Sequence, residues 1–163
     1  IVNISPFAQC CAYSVGQAAQ PIISTNYGPG QSSRIRQVLK YALMTAFCFG
    51  IFWTVLSLAA PELYIRIFMT PTKEVMEIAP SIIRCYGLSF FLLPLNIFST
   101  YYFQALMKPA SAFIVSVSRG LIISGFLILV LPVLFGADSL WFAMPVTELI
   151  VAVYVTLTIT RFT

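Results

Sequence analysis

Five stretches of this chain run for 20 residues or more with at most one acidic or basic side chain each: 1–24, 41–60, 85–107, 110–136 and 140–160. At 1.5 Å of rise per residue, each stretch wound as an α-helix is about 30 Å long or more, the thickness of bilayer hydrocarbon. Lipid offers backbone amides no hydrogen-bond partner, so a spanning segment must satisfy its own, and a helix does so. The expected fold is an all-α integral membrane protein, a polytopic bundle of about five transmembrane helices. Composition agrees: 60% of the 163 residues are hydrophobic and 9% charged, against about a quarter charged in soluble domains. Apolar sequence starts at residue 1 with no Met and no basic flank, which is not the pattern of a secretory signal. The chain is expected to begin inside a helix.

Charge sits mostly in the connections, and unevenly. Arg34, Arg36 and Lys40, then Lys108 and Arg119, then Arg161 place six positive residues and no acid on one side. The opposite links hold Arg66, Lys73 and Arg84 against Glu62, Glu74, Glu77 and Asp138, three positive and four negative. Loops rich in Lys and Arg stay in the cytoplasm. The first helix is therefore expected to enter from outside and the C-terminus to end inside, in the cell membrane. The net charge of +4 reads as a topology signal rather than a nucleic-acid footprint, because the cations are scattered.

The chain has no His and five acids in all. The commonest transition-metal ligand and general base is thus missing, and with it the support for metalloenzyme and Ser-His-Asp hydrolase readings. No enzymatic activity, metal site or cofactor is expected. Cys10, Cys11, Cys48 and Cys85 fall in or at the edge of apolar stretches without Cys-x-x-Cys spacing, as small core residues do.

Pro6 and Pro21 lack amide protons, so each is expected to leave a carbonyl one turn earlier unpaired. Gly28 and Gly30 both suit the left-handed conformation that ends a helix, and Ser32 or Ser33 suits the cap of the next. The stretch Gln17 to Arg36, QAAQPIISTNYGPGQSSRIR, reads as a helix end, a tight turn and a new start. The longest link, Pro61 to Pro80, mixes apolar and charged residues and reads as short helical turns lying on the outer surface, with Thr72 as a cap.

Two helices carry polar stripes. In the first, Gln9, Tyr13, Gln17, Gln20 and Ser24 recur at intervals of three and four; in the third, Cys85, Ser89, Asn96, Thr100 and Gln104 follow spacings of four, seven, four and four. Each set shares one helical face. Lipid cannot satisfy amide side chains, so both stripes are expected to face other helices or water. Two readings stand: interhelical hydrogen bonding in an ordinary bundle, or the lining of a solute pathway. The second helix is mostly Phe, Leu, Ala and Trp, with Thr45, Thr54 and Ser57 free to bond their own backbone. It is expected to face lipid or plain packing.

Glu148 is the one acid inside an apolar stretch. Counted from Ser139, it lies about 13 Å deep, where a charged carboxylate costs roughly 2.5 kcal/mol or more. It is expected to face a cavity, a partner or a bound cation. Pro145, three residues earlier, frees a backbone carbonyl nearer the outer surface. Two roles stand for Glu148: a hydrogen-bonded core residue that pins the last helix, or a direct part in ion coupling or cation recognition. Arg119, with the uncharged run Gly120 to Gly136 beyond it spanning about 25 Å, is expected near the inner boundary, snorkelling to water.

The segment Gln20-Pro21-Ile22-Ile23-Ser24-Thr25-Asn26-Tyr27-Gly28-Pro29-Gly30, followed by Arg34 and Arg36, resembles the cytoplasmic end of the eighth helix of MATE transporters, the multidrug and toxic compound extrusion family. Tyr102-Phe103-Gln104-Ala105-Leu106-Met107-Lys108-Pro109 resembles that family's end of helix ten, and Trp141 to Glu148, WFAMPVTE, the opening of helix twelve. The matches keep the family's order and spacing. Thr25 departs where an aromatic is frequent, Pro29 where a small residue is usual, and Met107 where Gly is common.

The resemblance implies that the chain carries most of helix eight through helix twelve of a twelve-helix, two-lobe transporter, and that helix seven and the N-terminal lobe lie outside it. It implies export of organic cations and other amphipathic compounds by antiport with Na+ or H+. The partners implied are small-molecule substrates, the bilayer and the N-terminal lobe, with no nucleic acid. Pro21, Asn26, Gly28 and Gly30 form the motif turn, and Gln17, Gln20 and Asn26 are expected to tie the inner end of the first helix to its neighbours. A lipid-linked saccharide flippase of the related superfamily is the alternative; it needs several cations at mid-membrane, and Arg119 is the single candidate. A membrane enzyme needs clustered acids, His or a nucleophile at one interface, and none converges here. Physics alone also admits a structural bundle without transport.

Overall fold

The computed structural model describes residues 4–68 and 70–162, so the first three positions of the stretch 1–24 lie outside the described residues. The chain forms α1 (Ser5–Tyr27), α2 (Ser32–Ala59), α3 (Pro61–Phe68), α4 (Lys73–Gly87), α5 (Ser89–Ala105), α6 (Pro109–Val117), α7 (Ile123–Phe135) and α8 (Ala143–Phe162). A π-helical turn, Ser118–Ile122, joins α6 to α7, and a 3-10 stretch, Ala137–Phe142, leads into α8. Among the described residues, Ser32–Ala59, Pro109–Phe135 and Ala137–Arg161 are long and apolar enough to cross a membrane, and α4 with α5, bent by 43°, is so as a pair. α1, at 23 residues, is long enough at about 34 Å, but its glutamines lower its apolarity.

α5 lies at the centre and packs on α1, α2, α6 and α8. Its apolar residues join two clusters. Toward the turn after α1, Phe98, Tyr102 and Phe103 pack with Ile23, Leu39 and Val155. Toward α3, Phe90 and Leu93 pack with Ile4, Ile65 and Ile83. Lipid supplies no hydrophobic drive between helices, so close approach through small residues matters more. α2 supplies such a face, with Ala42, Ala46, Gly50, Thr54 and Ser57 buried.

At Gly50 an added Cβ would stand 2.9 Å from the carbonyl oxygen of Phe91 and 3.1 Å from that of Phe90. The Phe90 carbonyl is the one that Pro94, four residues on, deprives of its helical donor. The backbones of α2 and α5 therefore meet where neither has a side chain in the way. α2 thus packs through small residues and turns Tyr41, Met44, Phe52 and Val55 outward, in line with the expected plain packing or lipid contact. Thr45 and Ser57 do bond their own backbone, at Tyr41 O and Trp53 O. Thr54 does not: its Oγ1 donates across the interface to Gly87 O at 3.3 Å.

The span expected at 85–107 is two helices. α4 runs from Lys73 to Gly87 and yields to α5 at the bend. Gly87 sits so close to Ser57 of α2 that a side chain there would collide with it, and Ser89 Oγ donates to Tyr86 O at 2.6 Å. The link ahead of the bend is helical as expected, with Thr72 Oγ1 accepting from the Val75 amide at 3.3 Å to cap α4.

The turn after α1 corrects three expectations. Gly30 has a positive φ of 70°, while Gly28 is ordinary right-handed helix at φ −56° and ψ −50°. Gln31 N–H donates to Asn26 O and Gly30 N–H to Tyr27 O, both at 3.0 Å. This is the paired closure that ends a helix on a left-handed residue, and one such residue suffices. α2 then starts at Ser32 after Gln31, with no side-chain cap from either serine, and well before residue 41. Pro6 occupies the first turn of α1, where no helical donor is lost, so within α1 Pro21 alone interrupts the bonding.

The end of α5 repeats the closure. Lys108 N–H donates to Phe103 O at 2.8 Å and Met107 N–H to Gln104 O at 3.1 Å, with Met107 at φ 55°. Met107 thus holds a backbone position that suits glycine. The cysteines are not core residues. Cys10 and Cys48 are exposed, Cys11 and Cys85 part-buried, and all four are free; α1 turns Ala8, Ala12, Gly16 and Ala19 inward instead.

Candidate functional site

Polar side chains converge where α5, the π-turn and α8 meet. Glu148 is fully buried on α8, and Asn96 is fully buried on α5. Asn96 Nδ2 donates to Glu148 Oε2 at 2.6 Å and to the Glu148 backbone carbonyl at 2.9 Å. Arg119 Nε donates to Glu148 Oε1 at 2.8 Å in a salt bridge. Each carboxylate oxygen has a donor, as a buried charge requires.

Arg119, expected to snorkel to the inner boundary, instead turns toward Glu148. Helix geometry explains the meeting. The chain turns at Gly136, where φ is 88°, and α8 is preceded by six residues of 3-10 helix. That stretch rises about 2.0 Å per residue, so Glu148 lies about 21 Å below the turn rather than 13 Å below the boundary. On the other limb, α7 descends about 20 Å over its 13 residues before the π-turn begins. The two residues reach similar depth. The π-turn adds a residue to the helical circuit and shifts the register of the side chains before it relative to those after it, a feature frequent at functional sites.

Beside this cluster lies a cavity of about 330 Å³ whose polar lining includes Tyr13 of α1, Thr100, Tyr101 and Gln104 of α5, Ser116 of α6 and Arg119. Gly16 leaves room for the Tyr101 ring against α1, and Tyr13 meets that ring edge-on with centroids 6.4 Å apart. Gln20 Nε2 donates to Gln104 Oε1 at 3.4 Å, joining α1 to α5.

The two polar stripes divide. Gln9 donates to Ser5 Oγ at 2.8 Å and accepts from the Tyr13 hydroxyl at 3.3 Å, both within α1. Gln17 is exposed. Ser24 and Asn26 bond their own helix, at Pro21 O and Ile22 O. Of the three residues expected to tie the end of α1 to its neighbours, then, Gln20 does so, while Asn26 turns back on α1 and Gln17 faces outward. Ser89 is buried and bonds the preceding turn, so it neither crosses to another helix nor lines the cavity. Thr100 lines the cavity while its Oγ1 donates to Asn96 O at 3.3 Å. Asn96 makes the interhelical bonds, and Gln104 serves both readings.

Sequence reasoning missed Tyr101 and Ser116, and it singled out Arg119 without pairing it with Glu148. For Arg119 a signal existed: it and Glu148 are the two charges inside the apolar stretches, and opposite charges in a membrane seek each other. Tyr101 and Ser116 carried none, because helical spacing does not show which face meets a neighbour. Among the described residues no group of His, Cys, Asp and Glu is placed to hold a metal ion.

Known proteins share this architecture. A family model described as MatE matches residues 1–136. No curated protein matches the sequence. Among solved structures, the chain is similar to that of a MATE multidrug transporter, DinF-BH, in complex with a ligand, with a TM-score of 0.87 and 31% identity. The match covers 97% of this chain and 35% of that one, so the chain spans about a third of that structure's length.

Proposed function

This chain belongs to the MatE family, and from that premise we propose that it is part of the C-terminal lobe of a two-lobe secondary transporter that exports small amphipathic molecules by antiport with Na+ or H+. Members of the family are transporters rather than enzymes, and the apolar helices make this a multi-pass membrane protein. The observation that carries the reading is the buried trio of Glu148, Arg119 and Asn96 beside a polar cavity. A carboxylate used for coupling must exchange its partner during the cycle. Here a proton or sodium ion at Glu148 competes with Arg119, and releasing Arg119 changes the wall of the cavity. Asn96 Oδ1 is buried without a hydrogen bond among the described residues, an acceptor that an entering cation would satisfy.

The helix breaks support the same reading. Alternating access uses interrupted helices near a central site, and the bend before α5 and the π-turn at Arg119 are both interruptions of this kind. In the proposed orientation the Gly30 turn, Lys108 and Arg161 face the cytoplasm of the cell membrane. A flippase would need several unpaired cations, and the one intramembrane cation here is paired with Glu148.

The test is dye efflux from cells expressing the full-length gene product, driven by an imposed proton or sodium gradient. Glu148→Gln keeps the size but can accept from only one of its two donors, Arg119 or Asn96, and it cannot carry charge or exchange a proton. The expected result is impaired gradient-driven efflux when the variant and the wild type are compared at equal abundance. Efflux by that variant at the wild-type rate, under both gradients and across pH, would remove Glu148 from coupling.

A further inference from the structure

The wall that this chain gives the cavity has one charged group, and it is a cation. Arg119 is 16% exposed and lines the space, while its counter-charge Glu148 is 0% exposed and lies behind it. The salt bridge is made through Nε, which among the described residues leaves the two amino groups of the guanidinium, a planar fork of donors suited to a carboxylate or sulfonate. Glu148 offers the cavity no accessible acceptor, because it is fully buried behind Arg119 and Asn96. Thr100, Gln104 and Ser116 add polar groups around the fork, and Tyr13 with Tyr101 adds an aromatic surface.

From this geometry we infer that the cavity recognises the anionic group of amphipathic substrates, holding a carboxylate or sulfonate on Arg119 and the apolar body against Tyr13 and Tyr101. The inference rests on the transport reading for the ligand's route but not for its charge. A cation entering the same wall meets the guanidinium first and gains no accessible carboxylate. An anion gains charge-assisted hydrogen bonds in a space partly shielded from water, where they exceed neutral ones. A lipid headgroup carries the same chemistry, so the source of the anion is part of the test.

The experiment measures binding by equilibrium dialysis to the purified full-length gene product in nanodiscs of zwitterionic lipid, which carry no gradient. Three probes share one apolar body: 2-naphthylacetate, 2-(2-naphthyl)ethanol and 2-(2-naphthyl)ethylammonium. The acid should bind about tenfold tighter than the alcohol, as one charge-assisted contact provides, and the amine more weakly than the alcohol. Arg119→Lys keeps a positive partner for Glu148 but gives up the planar fork, so the acid's advantage should fall below about threefold. Ser116→Asp leaves the salt bridge in place, sets a carboxylate on the same wall, and should reverse the order of acid and amine.

Equal binding of acid and alcohol, or an order that Ser116→Asp does not change, overturns the inference. Loss of acid binding in discs of anionic lipid would assign the site to a headgroup and overturn it as a substrate site, whereas unchanged binding there assigns it to the solute. A protein that exports dyes but shows no preference for the acid refutes this inference alone. One that shows the preference but exports nothing refutes the transport reading alone.

Discussion

Removing Arg119 alone should destabilise the protein more than removing both members of its salt bridge. Two unit charges about 4 Å apart attract by about 4 kcal/mol at an effective dielectric near 20. Arg119 and Glu148 meet at 2.8 Å between nitrogen and oxygen, with the guanidinium 16% exposed and the carboxylate fully buried. Water therefore screens one partner and not the other, and Arg119→Met should cost about 3 kcal/mol, the lower end for breaking a buried pair. Asn96 remains as a donor to Glu148 but cannot neutralise it. In the double variant Arg119→Met with Glu148→Met no charge is left behind, and Asn96 Nδ2 keeps the backbone carbonyl of residue 148 at 2.9 Å. That variant should lie within about 1 kcal/mol of the wild type, because exchanging a whole buried pair for apolar side chains of similar volume is close to neutral. Thermal unfolding of the full-length gene product in detergent, followed by intrinsic tryptophan fluorescence, reads the order: wild type and double variant together, single variant several degrees below. A single variant that melts with the wild type would show that Glu148 does not depend on Arg119, and the reasoning would fail.

Other substitutions test the packing and the turns. Gly50→Ala should lower stability by about 1–2 kcal/mol, since overpacking against the Phe90 and Phe91 carbonyls outweighs the roughly 1 kcal/mol of helix propensity gained. Gly125→Ala, with open space around an added Cβ, should raise stability by up to about 1 kcal/mol; thermal shifts of the same sign for both would contradict the close approach of α2 and α5. Met107→Gly should raise stability by about 1 kcal/mol by relieving a left-handed backbone. Gly30→Val should lower it by at least as much, with Gly28→Val near neutral, and equal losses at the two glycines would refute the assignment of Gly30 alone as left-handed. Thr72→Ala should cost about 1 kcal/mol through loss of the α4 cap, seen as faster hydrogen exchange at the start of α4; unchanged exchange there would mean the cap does not hold the helix.

Much of the fold was legible because it is local. Helix positions followed from uncharged runs long enough to span lipid, the Thr72 cap from a hydroxyl before a helical pattern, and the family from three motifs in order. Breaks inside the helices were harder to read. Pro94 marks a freed carbonyl in any sequence, but the bend at Gly87 and Leu88 depends on Ser57 and Thr54 of another helix lying against it. The π-turn at Arg119 has no sequence signature at all. It is a register shift, and the partner that gives it meaning is Glu148, 29 positions away.

The sequence by itself determined that this chain is a bundle of membrane helices, that Asn96 and Glu148 needed partners, and that the helix end near Gly30 needed a left-handed residue. Each follows from a local cost: unpaired amides in lipid, a buried charge, a backbone that must reverse. Tertiary structure alone decided which polar residues meet. Glu148 takes Arg119 and Asn96, Gln20 takes Gln104, and Gln17 takes neither, although all of them sat on faces that periodicity had marked or within reach of one. Helical spacing sets a side chain's direction relative to its own axis, whereas partnership depends on the rotation, depth and bending of two axes together. Those quantities arise from packing at Gly16, Gly50 and Gly87, where the absence of a side chain lets one helix settle against the next.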